Sequence, residues 1–155
     1  PGLGTEFHLY FPAVETGDAE TTNIPVQPPR GNCERILLID DEASIAQIGE
    51  RMLNKLGYRA TALTSSTQAL AVYEQAPRSF DAVITDLTMP FMSGMELARE
   101  MIALRPGLPI LLASGFSGNW TAEKVKAEGL RDLLIKPLTA SALSLAIRRV
   151  FDGSA

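Results

Sequence analysis

Short apolar runs alternate with amphipathic stretches from residue 34 to residue 151. Two of the runs, residues 36–39 (ILLI) and 110–113 (ILLA), are continuously apolar, which is typical of parallel strands buried on both faces. The stretches between the runs have helical periodicity, and the first one gathers its apolar residues on one face. This alternation predicts five β/α units that form one α/β domain, an open doubly wound sheet covered by helices on both faces.

The boundaries of these elements follow from the ends of the periodic stretches. Gly57 and Gly129 come just after helical patterns, where a left-handed cap favours glycine, and Pro106 follows the third helix. In an open sheet with right-handed crossovers, ligands bind beyond the carboxyl ends of the strands. The predicted strands are residues 35–39, 58–63, 81–85, 109–113 and 132–135, and the predicted helices are residues 43–56, 66–75, 94–104, 121–128 and 140–151.

Composition and charge argue against several classes of function. The 155-residue chain has a formal charge of −4, and Arg148-Arg149 is its only adjacent basic pair. No nucleic-acid binding and no direct membrane contact are therefore expected, and no apolar run is long enough to span a bilayer. The single cysteine, Cys33, excludes an internal disulfide and a thiolate metal cluster.

The N-terminal part of the chain has a different character. Residues 6–11 (EFHLYF) have the composition of a strand, and a single strand needs a partner sheet. Residues 13–32 are rich in Thr, Pro, Gly and acidic side chains and predict a linker, stiffened near its end by Pro28-Pro29. The start lacks the features of a signal peptide and a Met, which indicates a piece excised from a longer chain.

Polar residues follow the strands at the edge where a ligand is expected. Asp40-Asp41 follows the first strand, Asp86 the third, Ser114 the fourth and Lys136 the fifth. Taken singly, each has an ordinary structural explanation, since Asp and Ser cap helices and a lone Lys is usually a solvated surface charge. Taken together they are harder to explain in that way, because three carboxylates at one edge repel one another and need a cation to stay ionised.

The residue types at this edge favour a particular metal and a particular ligand group. Oxygen ligands without His or Cys select a hard cation such as Mg²⁺ or Mn²⁺. Lys136 and Ser114 add a positive charge and a hydroxyl donor that suit phosphoryl oxygens. The glycine-rich motifs that hold the phosphate chain of a nucleotide do not occur. The edge therefore predicts a site for a phosphoryl group carried by the protein itself.

Four segments carry a family resemblance, ILLIDDE, DAVITDLTMPFMSGMEL, LLASG and LLIKP. In order and spacing, they resemble the response-regulator receiver domains of bacterial two-component signalling, over residues 34–151. The resemblance implies a flavodoxin-like parallel sheet with strand order 2-1-3-4-5, a receiver domain at residues 33–152 and a tail at residues 153–155. It also implies a cytoplasmic phosphoprotein.

The resemblance further implies a role for each acidic residue at the edge. Asp86 would be phosphorylated by attack on the phosphohistidine of a partner, and water would later hydrolyse the acyl phosphate. The metal would be held by Asp41, by Asp86 and by the main-chain carbonyl of Thr88. Asp40 would act as a further acidic partner through water.

Several other positions have implied roles. Lys136 and Ser114 would contact the phosphoryl group, and the peptide bond Lys136-Pro137 is expected to be cis. Leu133 departs from the family, which often has an aromatic residue three positions before the lysine. This chain therefore has no aromatic side chain there for the usual readout of a switch at Ser114. Thr88 and Phe116 occupy positions that tune hydrolysis, and we expect the bulky Phe116 to shield the acyl phosphate from water.

A second resemblance concerns the origin of the chain. GLGTEFHLYFP resembles the closing strand of a histidine-kinase ATP-binding domain. Residues 1–12 would then be the remnant of that domain. The parent protein would be a hybrid histidine kinase, either anchored in a membrane or not. His8 lies in the strand-like segment and is not expected to donate a phosphoryl group. The donor would be a kinase or phosphotransfer domain elsewhere, and this chain alone would show at most self-phosphotransfer and dephosphorylation. The sequence does not predict the stimulus, the output or the oligomeric state.

Three alternatives stay open at this point. A Mg²⁺-dependent phosphatase of the haloacid-dehalogenase type would also use Asp86 as a nucleophile, but it usually has a second Asp where this chain has Thr88. A flavodoxin-like flavin-binding module is disfavoured by the acidic loop Asp40-Asp41-Glu42, which would repel a phosphate. A receiver retained only as an interaction surface is the third alternative.

Overall fold

The fold is a parallel sheet between two layers of helices, seen in a computed structural model that describes residue 4 and residues 6–10, 28–115 and 120–153. The five strands pair in parallel in the predicted order, β2-β1-β3-β4-β5. Each strand is followed by one helix. The strands are β1 (Arg35–Ile39), β2 (Arg59–Leu63), β3 (Ala82–Asp86), β4 (Ile110–Ser114) and β5 (Asp132–Ile135). The helices are α1 (Ala43–Lys55), α2 (Ser66–Gln75), α3 (Gly94–Leu104), α4 (Ala122–Ala127) and α5 (Ala140–Asp152).

The central strands are buried on both faces, as their continuous apolar runs predict. Along β1, Leu37 and Ile39 face one core and Ile36 and Leu38 face the other, because successive side chains of a strand point to opposite faces. The first core includes residues of α2, α3 and α4, and the second includes residues of α1 and α5. The two cores together cover the sheet.

The observed boundaries lie within one residue of those predicted for every helix. Helix α1 ends at Lys55, one residue early, and Gly57 then takes the left-handed conformation, with φ of 92°. Helix α4 is one residue shorter at each end. Its N-cap is Thr121, whose side chain accepts a hydrogen bond from Lys124 N, and its C-cap is Glu128, which is followed by Gly129 with a left-handed φ of 87°. Within the described ranges, no helix is both long enough and apolar enough to cross a membrane.

Two N-terminal segments differ from expectation. Residues 6–10 form no strand, and Phe7 and Tyr10 are 84% and 90% exposed. The physical reason is that a strand needs a neighbouring strand to pair with. Residues 6–10 pair with none of the five strands of the described sheet. Residues 28–32, at the end of the predicted linker, instead pack on the domain through main-chain hydrogen bonds such as Gly31 N to Leu56 O.

Candidate functional site

The carboxyl edge of the sheet brings four of the predicted polar residues together. Asp40 follows β1 directly, Asp86 is the last residue of β3, Ser114 is the last residue of β4, and Lys136 follows β5. The strand register places Asp86 opposite Ala113 and Ser114 opposite Ile135. Asp40, Asp86 and Ser114 are only 2%, 7% and 4% exposed. Burial of two carboxylates side by side needs compensation by a positive charge.

Lys136 supplies that compensation within the chain. Its Nζ lies 2.7 Å from Asp40 Oδ2 and 2.7 Å from Asp86 Oδ1, so one ammonium bridges both carboxylates. The Lys136 main-chain N donates to Ser114 O at 2.8 Å, which fixes the start of the loop after β5 against β4. The peptide bond Lys136-Pro137 is cis, as predicted.

Burial and the ion pairs act in opposite directions on the pKa values of this cluster. Burial raises the pKa of the Asp40 carboxyl, and the Lys136 hydrogen bond offsets only part of that effect, so the pKa lies above its ordinary value. Burial lowers the pKa of the Lys136 ammonium, but the hydrogen bonds and charges of Asp40 and Asp86 outweigh it and raise the pKa overall. Lys136 therefore stays charged at neutral pH.

Main-chain donors orient the two buried carboxylates. Asp40 Oδ1 accepts a hydrogen bond from Glu42 N at 3.1 Å, and Asp86 Oδ2 accepts one from Thr88 N at 3.1 Å. Each carboxylate is thus held by one ammonium and one amide from the loop that follows its own strand. The Asp86 carboxylate is therefore held in one orientation with its charge partly neutralised.

The other predicted site residues differ in how deeply they are buried. Asp41 and Thr88 are exposed, at the rim of the cluster. Leu133 is half-buried and packs against the core that contains α4, with no aromatic ring to change rotamer. Phe116, predicted to shield the site, lies outside the described residues.

The donor set fits a hard divalent cation by its charge. Asp40, Asp41 and Asp86 carry three negative charges against the one positive charge of Lys136, which leaves a balance of two that Mg²⁺ or Mn²⁺ would neutralise. Among the described residues, no three His, Cys, Asp or Glu side chains are already gathered in a metal-binding geometry. The ligand set that the family resemblance implies, Asp41, Asp86 and the main-chain carbonyl of Thr88, contains only two carboxylates and would not form such a group by itself.

Gly94 has a structural role beside the site that reasoning from the sequence missed. Its N donates to Leu87 O at 3.0 Å, and a Cβ added to it would lie 2.0 Å from Asp86 O. Only glycine lets the first turn of α3 approach the backbone of Asp86 so closely. The available signal was a glycine at the start of a predicted helix, where alanine would be a better helix former.

A Gly94→Ala variant should lose about 3 kcal/mol of unfolding free energy, because the added methyl group must displace the backbone of Asp86 or the whole of α3. Urea unfolding followed by circular dichroism measures this loss. Gly115→Ala is the matched control, since a Cβ there meets nothing within 4 Å, and it should change the free energy by less than about 0.5 kcal/mol. Equal stabilities of the two variants would contradict the steric argument.

Comparison with known proteins agrees with this geometry. A family model described as the response regulator receiver domain matches residues 36–148. The chain is 33% identical over 148 residues to the sensor protein EvgS of Escherichia coli, a match that covers 92% of this chain and 12% of EvgS. It is 25% identical over 160 residues to the sensor kinase CckA of Brucella abortus, which covers 97% of this chain and 17% of CckA. The chain thus spans less than a fifth of the length of either curated relative.

A solved structure gives the same result for the fold. The response regulator receiver domain protein from Clostridium thermocellum is 34% identical and superposes with a TM-score of 0.72, covering 78% of this chain and 96% of that one. Nearly all of that structure is therefore matched by the part of this chain that contains the sheet. The chain belongs to the response regulator receiver domain family.

Proposed function

We propose that this domain accepts a phosphoryl group on Asp86 from a phosphohistidine of a kinase or phosphotransfer domain, with Mg²⁺ or Mn²⁺ as the cofactor, and later loses it to water. The observation that carries the proposal is the bridging ammonium of Lys136, at 2.7 Å from Asp40 and at 2.7 Å from Asp86. Burying two carboxylates with one shared ammonium is a weak source of stability, whereas a phosphoryl acceptor needs a carboxylate nucleophile with a cation beside it.

The reaction transfers the phosphoryl group from nitrogen to oxygen. A carboxylate oxygen of Asp86 forms the new bond to phosphorus while the bond from phosphorus to the imidazole nitrogen breaks, and the bonding electrons return to the imidazole. Thr88 N holds the second oxygen of Asp86 in place during the attack. Lys136, already in contact with Asp86, would pair with the phosphoryl oxygens, and the Ser114 hydroxyl at the end of β4 would donate to them.

The metal would be held by Asp41, Asp86 and the main-chain carbonyl of Thr88, with Asp40 acting through water. When bound, it would neutralise charge on the transferred group. One oxygen of Asp40 already contacts the Lys136 ammonium, and the other accepts a hydrogen bond from Glu42 N. We therefore assign Asp40 to positioning Lys136 and the metal-bound water.

The parent protein that we propose is a hybrid histidine kinase. The matches to EvgS and CckA cover 92% and 97% of this chain, and so extend beyond residues 36–148 into the segment that precedes the receiver. This extension supports residues 1–12 as the remnant of a kinase ATP-binding domain. The kinase activity and the donor histidine would lie in that parent or in a separate partner.

The decisive experiment incubates the purified chain with acetyl phosphate and Mg²⁺ and follows its intact mass. We expect the gain of one phosphoryl group, and we expect EDTA to prevent it, because the acidic cluster without a divalent cation repels the donor. The proposal fails if the folded protein gains no mass at any concentration of Mg²⁺. Uptake that persists in EDTA would remove the metal from the proposal and leave the acceptor role.

The later steps stay predictions. Thr88 and Phe116 are proposed to tune hydrolysis, and Ser114 is proposed to respond to the phosphoryl group. A Phe116→Ala variant should shorten the lifetime of phospho-Asp86, measured as loss of the phosphoryl mass after the donor is removed. An unchanged lifetime would refute the shielding role.

A further inference from the structure

The segment at residues 28–34, which we call the strap, is fastened to the domain by its backbone. Gly31 N donates to Leu56 O at 2.8 Å, and Cys33 N donates to Gly57 O at 2.9 Å. Glu34 O accepts from Arg59 N at 2.9 Å, so the strap continues the pairing of β1 with β2 beyond the sheet. The composition of this segment is that of a linker, but its contacts are those of a folded element.

The strap is also fastened to α5 by side chains. The Ser144 hydroxyl, on a residue that is 0% exposed, donates to Pro29 O. The Arg148 guanidinium pairs with the Glu34 carboxylate, and their side chains are only 12% and 17% exposed. Arg148 also lies over the rings of Tyr58 and Phe151, at 5.8 Å and 5.3 Å from their centroids. We call the Glu34–Arg148 pair the latch.

Two glycines allow the strap to pack closely against the domain. A Cβ on Gly31 would lie 2.5 Å from Cδ1 of Tyr58, so the strap rests directly on the face of a buried ring. A Cβ on Gly57 would lie 2.9 Å from Gly31 O, and Gly57 has the left-handed φ of 92°. Glycine is therefore needed on both sides of this contact, because a side chain at Gly31 or Gly57 would keep the strap away from the domain.

We propose that the strap is a regulatory device. Opening or closing the latch changes the length of the chain, here called the tether, that links the receiver to the part of the chain before residue 28. With the latch closed, the strap is held beside α5. With the latch open, the strap residues join the tether and add a reach of up to about 23 Å. The strap lies at the amino end of β1, about 16 Å of strand away from Asp40 and Asp86, so this device acts independently of phosphoryl transfer.

The length of a tether changes how often a domain meets a partner attached to the other end. The effective concentration of two linked groups depends on the length and stiffness of the chain between them. When the strap is closed, the tether is shorter because the strap residues are held on the domain. An open strap gives it a longer tether without any change in the acceptor site.

Amide hydrogen exchange on the whole chain tests the strap. In the wild type, the amides of Gly31 and Cys33 should exchange at least about tenfold more slowly than those of an unstructured reference peptide. Glu34→Gln and Arg148→Ala should reduce this protection about fivefold and leave the amides of β4 unchanged. Arg149→Ala is the matched control, because Arg149 is the exposed neighbour that lies 3.5 Å from Asp132, and it should leave the strap protected.

Gly31→Ala opens the strap by a different route, through its clash with Tyr58, and needs no change in α5. Opening can be measured as distance with a nitroxide on the native Cys33, which is exposed. Relaxation enhancement of α5 amides should fall in Gly31→Ala and in Arg148→Ala. Unprotected Gly31 and Cys33 amides in the wild type, or relaxation that neither variant changes, would overturn the proposal. Neither result would bear on phosphorylation of Asp86.

Discussion

An Asp86→Asn variant should take up no phosphoryl group from acetyl phosphate under conditions that label the wild type fully. The amide that replaces the carboxylate has no oxygen nucleophile and cannot form an acyl phosphate. It also removes one of the two negative charges that hold Lys136 at this edge of the sheet. Intact mass measured over time, with Mg²⁺ present, gives the result directly.

The controls for this variant concern folding and charge. Asp86→Asn would leave Lys136 in a simple pair with Asp40, and relief of the repulsion between two buried carboxylates should keep the unfolding free energy at or above that of the wild type. Asp81→Asn removes a carboxylate of the same type, one that pairs with Arg35 at 2.8 Å near the start of β3. It should be labelled like the wild type. Labelling of Asp86→Asn to the same extent would place the acceptor elsewhere.

A Lys136→Met variant should be phosphorylated about 100-fold more slowly. Methionine keeps an unbranched, flexible side chain but removes the positive charge that contacts Asp86 and that would meet the phosphoryl oxygens. The initial rate of mass gain in acetyl phosphate measures this effect. A rate within a factor of about two of the wild type would show that the ammonium takes no part in transfer.

The same variant should also lose about 3 kcal/mol of unfolding free energy, because it leaves two buried carboxylates without their shared cation. Mg²⁺ should restore part of this loss, since it binds the folded cluster and not the unfolded chain. Denaturant unfolding with and without Mg²⁺ separates the two effects. Lys126→Met, which changes an exposed lysine on α4, should alter neither rate nor stability.

The sequence predicted the fold and the meeting of Asp40, Asp86 and Lys136 at one edge of the sheet, because both depend on position along strands. Continuous apolar runs as short as residues 36–39 are typical of strands buried on both faces, and the residue after such a parallel strand lies at the ligand edge. The proximity of Asp40, Asp86 and Lys136 could therefore be predicted from the sequence. Membership of the receiver family also argues against the phosphatase and flavin-binding alternatives.

The misses have a different physical origin. The strap is rich in Pro and Gly and predicts a linker, but main-chain hydrogen bonds such as Gly31 N to Leu56 O leave no mark in side-chain composition. Residues 6–10 have the composition of a strand but no partner among the described strands. At Gly94, the sequence shows only a glycine, while the reason for it is the distance to Asp86 O, which depends on how α3 meets β3.

The contact between Gly94 and Asp86 limits how the domain can respond to its own modification. Since the first turn of α3 lies against the backbone of Asp86 and bonds to Leu87 O, the acceptor and α3 must move as one piece. A new phosphoryl group would therefore be a stationary charge, and adjustment would come from groups that approach it from other strands. Ser114 and Lys136 are those groups, so the adjustment would involve β4 and β5, while β3 and α3 would stay in place.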